Sequence, residues 1–350
     1  MSQPAFAENT EPAAREALLY DRQADGSVVC NLCAHRCVIR PGRSGICGVR
    51  ENRDGTLVTL VADRVVGVEI DPIEKKPFFH FLPGSLAYSI ATVGCNFHCL
   101  FCQNWEISQW PREYAASVPG ELTTPREIVA AARATGCRSI AYTYTEPTIF
   151  FELALDTCRL AAAAGLKNLF VTNGYMTPEA LDVIAPVLHA ANVDLKSFSD
   201  RYYRKVCGAL RDPVLQTIRA MHERGIWVEV TTLLIPGHND SDEELQALAG
   251  WLASVDRNMP WHISAFFPAY KMTDVPPTPQ RALLQAARIG EQAGLRYIYI
   301  GNVPGDHWED TICPACDRRL VHRRGFTVFS NDVTDARCPA CHSAVAGVWA

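Results

Sequence analysis

The sequence predicts an α/β fold built around a partial (β/α)6 barrel of the TIM type, with a small cysteine-rich extension at each end. Between residues 86 and 305, short apolar strand patterns alternate with amphipathic helical patterns in at least six βα steps. Cysteine pairs concentrate before and after this region. The alternative is a doubly wound open sheet, but no G-x-G-x-x-G motif supports its dinucleotide-binding form.

The predicted strands and helices follow one another regularly along the barrel region. Strands are expected at residues 89–93, 139–144, 168–172, 192–196, 226–234, 261–266 and 297–301. Helices are expected at residues 125–136, 148–165, 178–191, 212–225, 241–255 and 279–294. The order of these elements is typical of a parallel sheet with crossover helices.

Composition divides the chain into four segments and excludes several classes of protein. The segments are a flexible N-terminus (1–25), a cysteine-rich region (26–85), the barrel (86–305) and a metal-binding knuckle (306–350). The net charge of −5 argues against a nucleic-acid binder that works by counterion release. No apolar run is long enough to span a membrane and no signal-peptide layout is apparent, so we expect a cytoplasmic protein.

The fourteen cysteines are the unusual feature of the composition. Eleven of them fall into three clusters: Cys30, Cys33, Cys37 and Cys47; Cys95, Cys99 and Cys102; and Cys313, Cys316, Cys338 and Cys341. A reduced chain of this size with close C-x-x-C pairs favours metal ligands over disulfides.

The central cluster has the spacing C-x3-C-x2-C directly after the first strand of the barrel. Catalytic groups of such barrels lie in the loops at the carboxyl ends of the strands. Three thiolates can hold three irons of a cubane cluster and leave the fourth iron open for a substrate or cofactor. Cys95, Cys99 and Cys102 are therefore the predicted catalytic metal ligands, with the aromatic Phe101 beside the last of them.

This loop resembles the cluster motif of the radical S-adenosylmethionine (SAM) superfamily. Further motifs look like its pyruvate formate-lyase activating enzyme-like branch: TYTEP (143–147), VTNGY (171–175), VDLKSF (193–198) and LLIPGHND (233–240). TYTEP keeps Glu146 and Pro147 but has Tyr144 and Thr145 where glycines are common in the family. CQNWEIS (102–108), YIYIGNVPG (297–305) and the terminal CPAC pairs resemble the radical SAM enzyme of the AmmeMemoRadiSam system.

The resemblance implies a definite chemistry. A [4Fe–4S] cluster would reductively cleave SAM to a 5′-deoxyadenosyl radical, which abstracts hydrogen from a small-molecule or protein substrate that the sequence does not identify. Implied partners are a reductant such as flavodoxin or ferredoxin and the companion proteins of the AmmeMemoRadiSam system. The alternatives are an activating enzyme for a glycyl radical enzyme and, from another class, a zinc-ribbon binding module without catalysis.

Residues at the predicted strand ends are assigned to the cofactor. The resemblance implies that Glu146 binds the SAM amino group, although it could instead cap the following helix. The assigned cofactor-binding residues are Phe101, Glu146, Thr172, Asn173, Asp194, Lys196, Thr232 and His262. Asp194 and Lys196 could also form a structural ion pair, and His262 could be a hydrogen-bonded core residue.

The two outer clusters are predicted to bind metal. The C-terminal pairs Cys313-x2-Cys316 and Cys338-x2-Cys341 indicate a four-thiolate site, with zinc as the default ion. Their arrangement resembles rubredoxin, which leaves iron open. The N-terminal Cys30, Cys33, Cys37 and Cys47 fit either zinc or an auxiliary iron–sulfur cluster by spacing, and a structural metal is the favoured interpretation.

Overall fold

The computed structural model describes residues 14–114, 118–303 and 307–350. The predicted boundary between barrel and knuckle at 305/306 and the first 13 residues of the predicted flexible segment lie outside the described residues. The fold is mixed α/β and divides into two compact units. Among the described residues, one unit holds 14–70, 87–98 and 102–189, and the other holds 71–86, 99–101 and 190–350.

The first unit begins with two small antiparallel sheets. Their strands are β1 (Arg15–Glu16), β2 (Tyr20–Arg22), β3 (Val28–Cys30), β4 (Val38–Ile39), β5 (Arg50–Arg53) and β6 (Thr56–Thr59). The strand orders are β1-β6-β5 and β2-β3-β4. Composition assigns residues 1–25 to a flexible N-terminus, but the described part of this segment contains two paired strands. The backbone groups of β1 and β2 form hydrogen bonds with β6 and β3.

The βα part of the first unit carries the strands that lead into the predicted site. After β7 (Arg64–Val65) and β8 (Gly67–Pro72) come β9 (Leu86–Ala91), α1 (Trp105–Ser108), α2 (Trp110–Glu113), β10 (Glu121–Leu122), α3 (Pro125–Ala134), β11 (Ser139–Tyr142), α4 (Phe151–Ala163), β12 (Lys167–Thr172) and α5 (Pro178–Ile184). β11 lies parallel between β9 and β12, with Ser139 opposite Ala87 and Lys167. The carboxyl ends of these three strands therefore share one edge.

The second unit repeats the same alternation. Its elements are β13 (Ala190–Asp194), α6 (Asp200–Tyr202), a π-helical turn (Tyr203–Cys207), α7 (Arg211–Glu223), β14 (Trp227–Leu234), α8 (Asp242–Val255), β15 (Trp261–Ala265), α9 (Gln280–Gln292) and β16 (Ile298–Gly301). The four strands pair in parallel in chain order. A three-stranded antiparallel sheet follows, formed by β17 (Thr311–Ile312), β18 (Arg319–Arg324) and β19 (Thr327–Asn331).

Local sequence explains where these elements begin and what they bury. Thr124 and Glu127 form a reciprocal capping box at the start of α3, with Pro125 at its first position. All four residues of β11 are buried, which explains why the strand shows as a continuous apolar run rather than an alternating one. In the described part of the chain, no helix has the length and apolar character needed to cross a membrane.

Candidate functional site

Gly94 opens the loop that follows β9. Its φ is +96°, and a Cβ atom there would lie 2.8 Å from Val49 Cγ1 and 2.9 Å from the Cys47 carbonyl oxygen. Both the conformation and the close approach require glycine. The loop that presents Cys95 therefore starts in direct contact with the N-terminal cysteine-rich segment of the same unit.

Two N–H groups approach the sulfur of Cys95. The Phe97 backbone N–H donates to Cys95 Sγ at 3.3 Å, and Asn173 Nδ2 lies 3.9 Å from the same sulfur. Asn173 Nδ2 also donates to Asn96 Oδ1 at 2.7 Å, which fixes the loop against the end of β12. N–H groups directed at a sulfur stabilise its thiolate form, so this donor set suits an iron ligand.

Cys102 closes the first unit's part of the loop just before α1. Its Sγ lies 3.2 Å from Ser108 Oγ at the end of that helix. Arg112 in α2 donates to the carbonyl oxygens of Cys95 and Phe97, each at 3.2 Å. The two short helices thus hold the loop backbone at Cys95 and Phe97 and contact the sulfur of Cys102.

Glu146, Thr172 and Asn173 meet at the carboxyl edge of β11 and β12, as the sequence predicts. Glu146 is fully buried, and its carboxylate accepts from Thr172 Oγ1 at 2.7 Å and from the Asn173 backbone N–H at 2.8 Å. It also caps the 3-10 turn Pro147–Phe150 through the Thr148 N–H, which is the alternative role that sequence left open. Burial raises the pKa of Glu146 despite these hydrogen bonds.

Tyr144 has a left-handed backbone conformation. Its φ is +63°, in the region that favours glycine, and its carbonyl oxygen accepts from Asn104 Nδ2 at 2.8 Å. A bulky residue therefore stands at a backbone position that glycine adopts more easily.

Phe101, Asp194 and Lys196 come together within the second unit. Lys196 Nζ lies 2.9 Å from Asp194 Oδ2 and 5.6 Å from the centre of the Phe101 ring. Burial of Lys196 lowers its pKa, but the Asp194 carboxylate opposes this strongly enough to hold the pKa well above the ordinary value. The ammonium group is thus charged and positioned between a carboxylate and an aromatic face.

Cys99 lies in the same unit, held by backbone and thiol contacts. The adjacent Leu100 donates its N–H to the Val206 carbonyl at 3.0 Å and accepts from the Lys271 N–H at 2.9 Å. A hydrogen bond with the buried Cys207 thiol, followed by burial, raises the pKa of Cys99 well above its ordinary value. The π-helical turn that ends at Cys207 therefore borders the central cysteine of the motif.

Thr232 and His262 lie toward opposite ends of their strands. His262 is the second residue of β15, at the amino end of its strand, and its Nε2 lies 2.6 Å from Glu229. This contact corresponds to the core role that sequence left open for His262, because catalytic groups of such barrels lie at the carboxyl ends of the strands. Thr232 is buried toward the carboxyl end of β14, where it donates to the Leu195 carbonyl and accepts from Trp261 Nε1. His262 is therefore left out of the proposed cofactor site, and the assignment of Thr232 stays a prediction.

The four C-terminal cysteines converge. The sulfurs of Cys313, Cys316, Cys338 and Cys341 all lie within 4.8 Å of one another. Cys313 Sγ is 3.6 Å from Cys341 Sγ, and Cys316 Sγ is 3.7 Å from Cys338 Sγ. Four sulfurs bound about 2.3 Å from one tetrahedral ion are separated by roughly 3.8 Å. The group can therefore hold a single metal ion.

The four N-terminal cysteines line one cavity of about 20 Å³ in the first unit. Burial raises the pKa of Cys33 well above its ordinary value and that of Cys47 to about 11. Arg50 borders the same cavity and is 1% exposed. Its guanidinium pairs with the buried Glu152 carboxylate and donates to Cys30 Sγ at 3.3 Å.

Sequence reasoning missed several residues that shape these sites. Asn96 orients the cluster loop and lines the N-terminal cavity, while Arg50 and Glu152 form a buried ion pair beside it. Glu229 accepts from the backbone N–H groups of Phe79 and His80, about 150 positions away. Arg50 follows Cys47 closely in sequence, which was a usable signal; the other contacts depend on long-range folding.

Comparison with known proteins identifies the family. The sequence model of the radical SAM superfamily matches residues 89–249, a range that contains the central cysteine motif. Residues 89–249 belong to the radical SAM superfamily.

Its relatives share different amounts of the chain. An uncharacterized protein of Methanocaldococcus jannaschii is 43% identical over 330 residues, which cover 93% of this chain and 97% of that protein. The isethionate sulfite-lyase activating enzyme of Oleidesulfovibrio alaskensis is 25% identical over 122 residues, or 33% of this chain and 40% of that enzyme. A radical SAM methyltransferase structure from Sphaerobacter thermophilus aligns over 64% of this chain and 68% of that one, with a TM-score of 0.49 and 17% identity.

Proposed function

We propose that the protein is a radical SAM enzyme whose cluster is held by Cys95, Cys99 and Cys102. The observation that carries the proposal is the C-x3-C-x2-C loop at the end of β9, within the residues that belong to this superfamily. The donors around Cys95 suit an iron ligand, and the three thiols supply the soft ligands that such a cluster needs. We also propose a partial barrel, which is consistent with the parallel strands and alternating helices of each unit.

Bound at these residues, a [4Fe–4S] cluster with SAM would supply the electron and the 5′-deoxyadenosyl radical that removes hydrogen from a substrate. The chain's own residues bind and orient. Glu146 with Asn173 would form the polar edge for the SAM amino and carboxylate groups. Phe101, Asp194 and Lys196 would contribute an aromatic face and paired charges to SAM or substrate.

Glu146 has a specific part in this arrangement. Its carboxylate is buried and already accepts from Thr172 and Asn173, so it holds the strand ends that would face the cofactor. Hydrogen bonds to a buried acceptor are stronger than those in water because few water molecules compete for it. The carboxylate would therefore fix the backbone at the cofactor edge as well as attract the SAM ammonium.

A second candidate function is activation of a glycyl radical enzyme. The partial match to the isethionate sulfite-lyase activating enzyme favours it, although that match spans 40% of the enzyme. In this case the substrate would be a protein, which would acquire a glycyl radical. We also propose flavodoxin or ferredoxin as the reductant. On the basis of the sequence resemblance, we propose companion proteins of the AmmeMemoRadiSam system as further partners.

The test is SAM cleavage by the anaerobically reconstituted chain. With dithionite and SAM, we expect 5′-deoxyadenosine in the chromatogram, and Cys95→Ala should abolish it. Cys137→Ala is the matched control, because Cys137 is a buried thiol outside the three clusters and should leave cleavage unchanged. Absence of 5′-deoxyadenosine from the iron-loaded chain would refute the function.

The same preparation separates the two candidate functions. A glycyl radical signal in the electron paramagnetic resonance (EPR) spectrum of an added glycyl radical enzyme identifies an activating enzyme. SAM cleavage without such a signal favours another substrate.

A further inference from the structure

The N-terminal cysteines line a common cavity. Cys30 ends β3, Cys33 and Cys37 lie in the connection to β4, and Cys47 precedes β5. All four line the cavity of about 20 Å³, where apolar side chains such as Ile149 complete the wall. This volume exceeds the roughly 10–15 Å³ that one water molecule needs.

The spacing of these sulfurs differs from that of the C-terminal group. The four C-terminal sulfurs all lie within 4.8 Å of one another. Among the described residues, no other group of three or more His, Cys, Asp or Glu ligand atoms is this close. The N-terminal cysteines do not meet that spacing. One tetrahedral ion needs sulfurs roughly 3.8 Å apart. A cubane cluster places each thiolate on a different iron, so its sulfurs lie farther apart and enclose a larger space.

Arg50 adds a donor that suits an anionic sulfur. Its side chain is 1% exposed, and NH1 donates to Cys30 Sγ at 3.3 Å. Hydrogen bonds to ligand sulfurs stabilise the negative charge of thiolate-bound clusters. The Arg50 charge is already paired with the buried Glu152 carboxylate, so the contact with Cys30 adds a donor for a thiolate ligand without adding an unpaired charge.

We propose that this cavity binds a second iron–sulfur cluster, of the [4Fe–4S] type, through Cys30, Cys33, Cys37 and Cys47. The four thiolates saturate its four irons, so this cluster has no open iron for SAM. Arg50 is the positioning residue that donates to one ligand sulfur. The site thus differs in chemistry from the three-cysteine site, and the structural-metal interpretation based on spacing alone gives way to a cluster.

The experiment isolates this cavity by removing the central ligands. The full chain carrying Cys95→Ala, Cys99→Ala and Cys102→Ala is reconstituted anaerobically with iron and sulfide, then freed of excess reagents. Iron, sulfide and zinc are measured per chain, and an EPR spectrum is recorded after dithionite reduction. We expect about four irons and four sulfides, the content of one [4Fe–4S] cluster, with the matching EPR signal.

Two further variants in this background locate the iron. Adding Cys33→Ala and Cys37→Ala should remove nearly all of it, whereas adding Cys137→Ala should not. Metal bound by the C-terminal cysteines should stay near one ion per chain in every variant, which reports that the chain has folded. The proposal is overturned by zinc in place of iron at the cavity, by no metal beyond the C-terminal ion, or by iron that persists without Cys33 and Cys37.

The unmutated chain provides a measurement that needs no variant. Native mass spectrometry should show about eight irons per chain, the content of two [4Fe–4S] clusters. A mass with about four irons, together with a triple variant that binds no cluster, contradicts the second cluster. Because the iron in the triple variant is counted without SAM, a failure of SAM cleavage leaves this result unaffected.

Discussion

The buried ion pair between Arg50 and Glu152 offers a sharp test of the structure. The two side chains are 1% and 0% exposed, so neither charge is solvated by water. Glu152→Gln keeps the size and hydrogen-bonding shape of the side chain but removes its charge. Arg50 would then retain the Leu18 carbonyl and the Cys30 sulfur as partners, each at 3.3 Å. Removing one partner of a buried pair costs about 3–5 kcal/mol, a large share of a total stability of about 5–15 kcal/mol.

The assay is chemical denaturation followed by circular dichroism at equal metal content. The midpoint for Glu152→Gln should fall far below that of the unmutated chain. Glu16→Gln is the control, because Glu16 and its partner Arg22 are about 60% exposed and their pair should contribute nothing measurable. Equal midpoints for the two variants would refute the buried pair. The Arg50→Met/Glu152→Gln double variant should lose less than the sum of the two single changes.

Three further outcomes follow from other sites. Burial lowers the pKa of His80 to about 4 from an unfolded value of 6.5. Its contribution to the free energy of unfolding is therefore full above about pH 6.5 and is lost as the pH falls toward 4. This contribution is on the order of 3 kcal/mol. His80→Gln should therefore make the denaturation midpoint depend less on pH over that range, and an unchanged pH dependence would contradict the buried, neutral state of His80. Cys316→Ser should remove about one metal ion per chain and expose the C-terminal sheet to protease, and full metal retention would show that this thiol is not a ligand. Lys196→Met should raise the Kd for SAM about tenfold, the effect of losing one charge-assisted hydrogen bond, while Lys205→Met, at an exposed lysine, leaves it unchanged; equal Kd values would leave Lys196 a structural ion-pair residue.

The order of strands and helices could be predicted because it depends on local patterning. The run SIAYTY predicted a strand, and β11 covers Ser139–Tyr142. Helical periodicity predicted a helix at residues 125–136, and α3 covers Pro125–Ala134. Glu146 and Asn173 could be expected close together because they follow β11 and β12, and neighbouring parallel strands share a carboxyl edge.

The residues that sequence misplaced or missed depend on contacts between distant segments. The predicted strand 261–266 already places His262 second, at its amino end, whereas its contact with Glu229 in the neighbouring strand depends on the fold. The role of Asn96 could not be predicted from sequence, because it depends on the hydrogen bond from Asn173 at the end of β12. Cysteine spacing also left the N-terminal metal open, because the separation of sulfurs depends on how the loops fold.

The same buried pair imposes an order of events during synthesis. Arg50 and Glu152 are separated by 102 positions, and ribosomes add about 5–20 residues per second. Arg50 therefore waits about 5–20 s for its counter-charge, and the cysteines around it emerge before the helix that completes their enclosure. Until that helix forms, these thiols face solvent, oxygen and free metal ions. In a growing cell, the N-terminal segment is thus completed late even though it is made first.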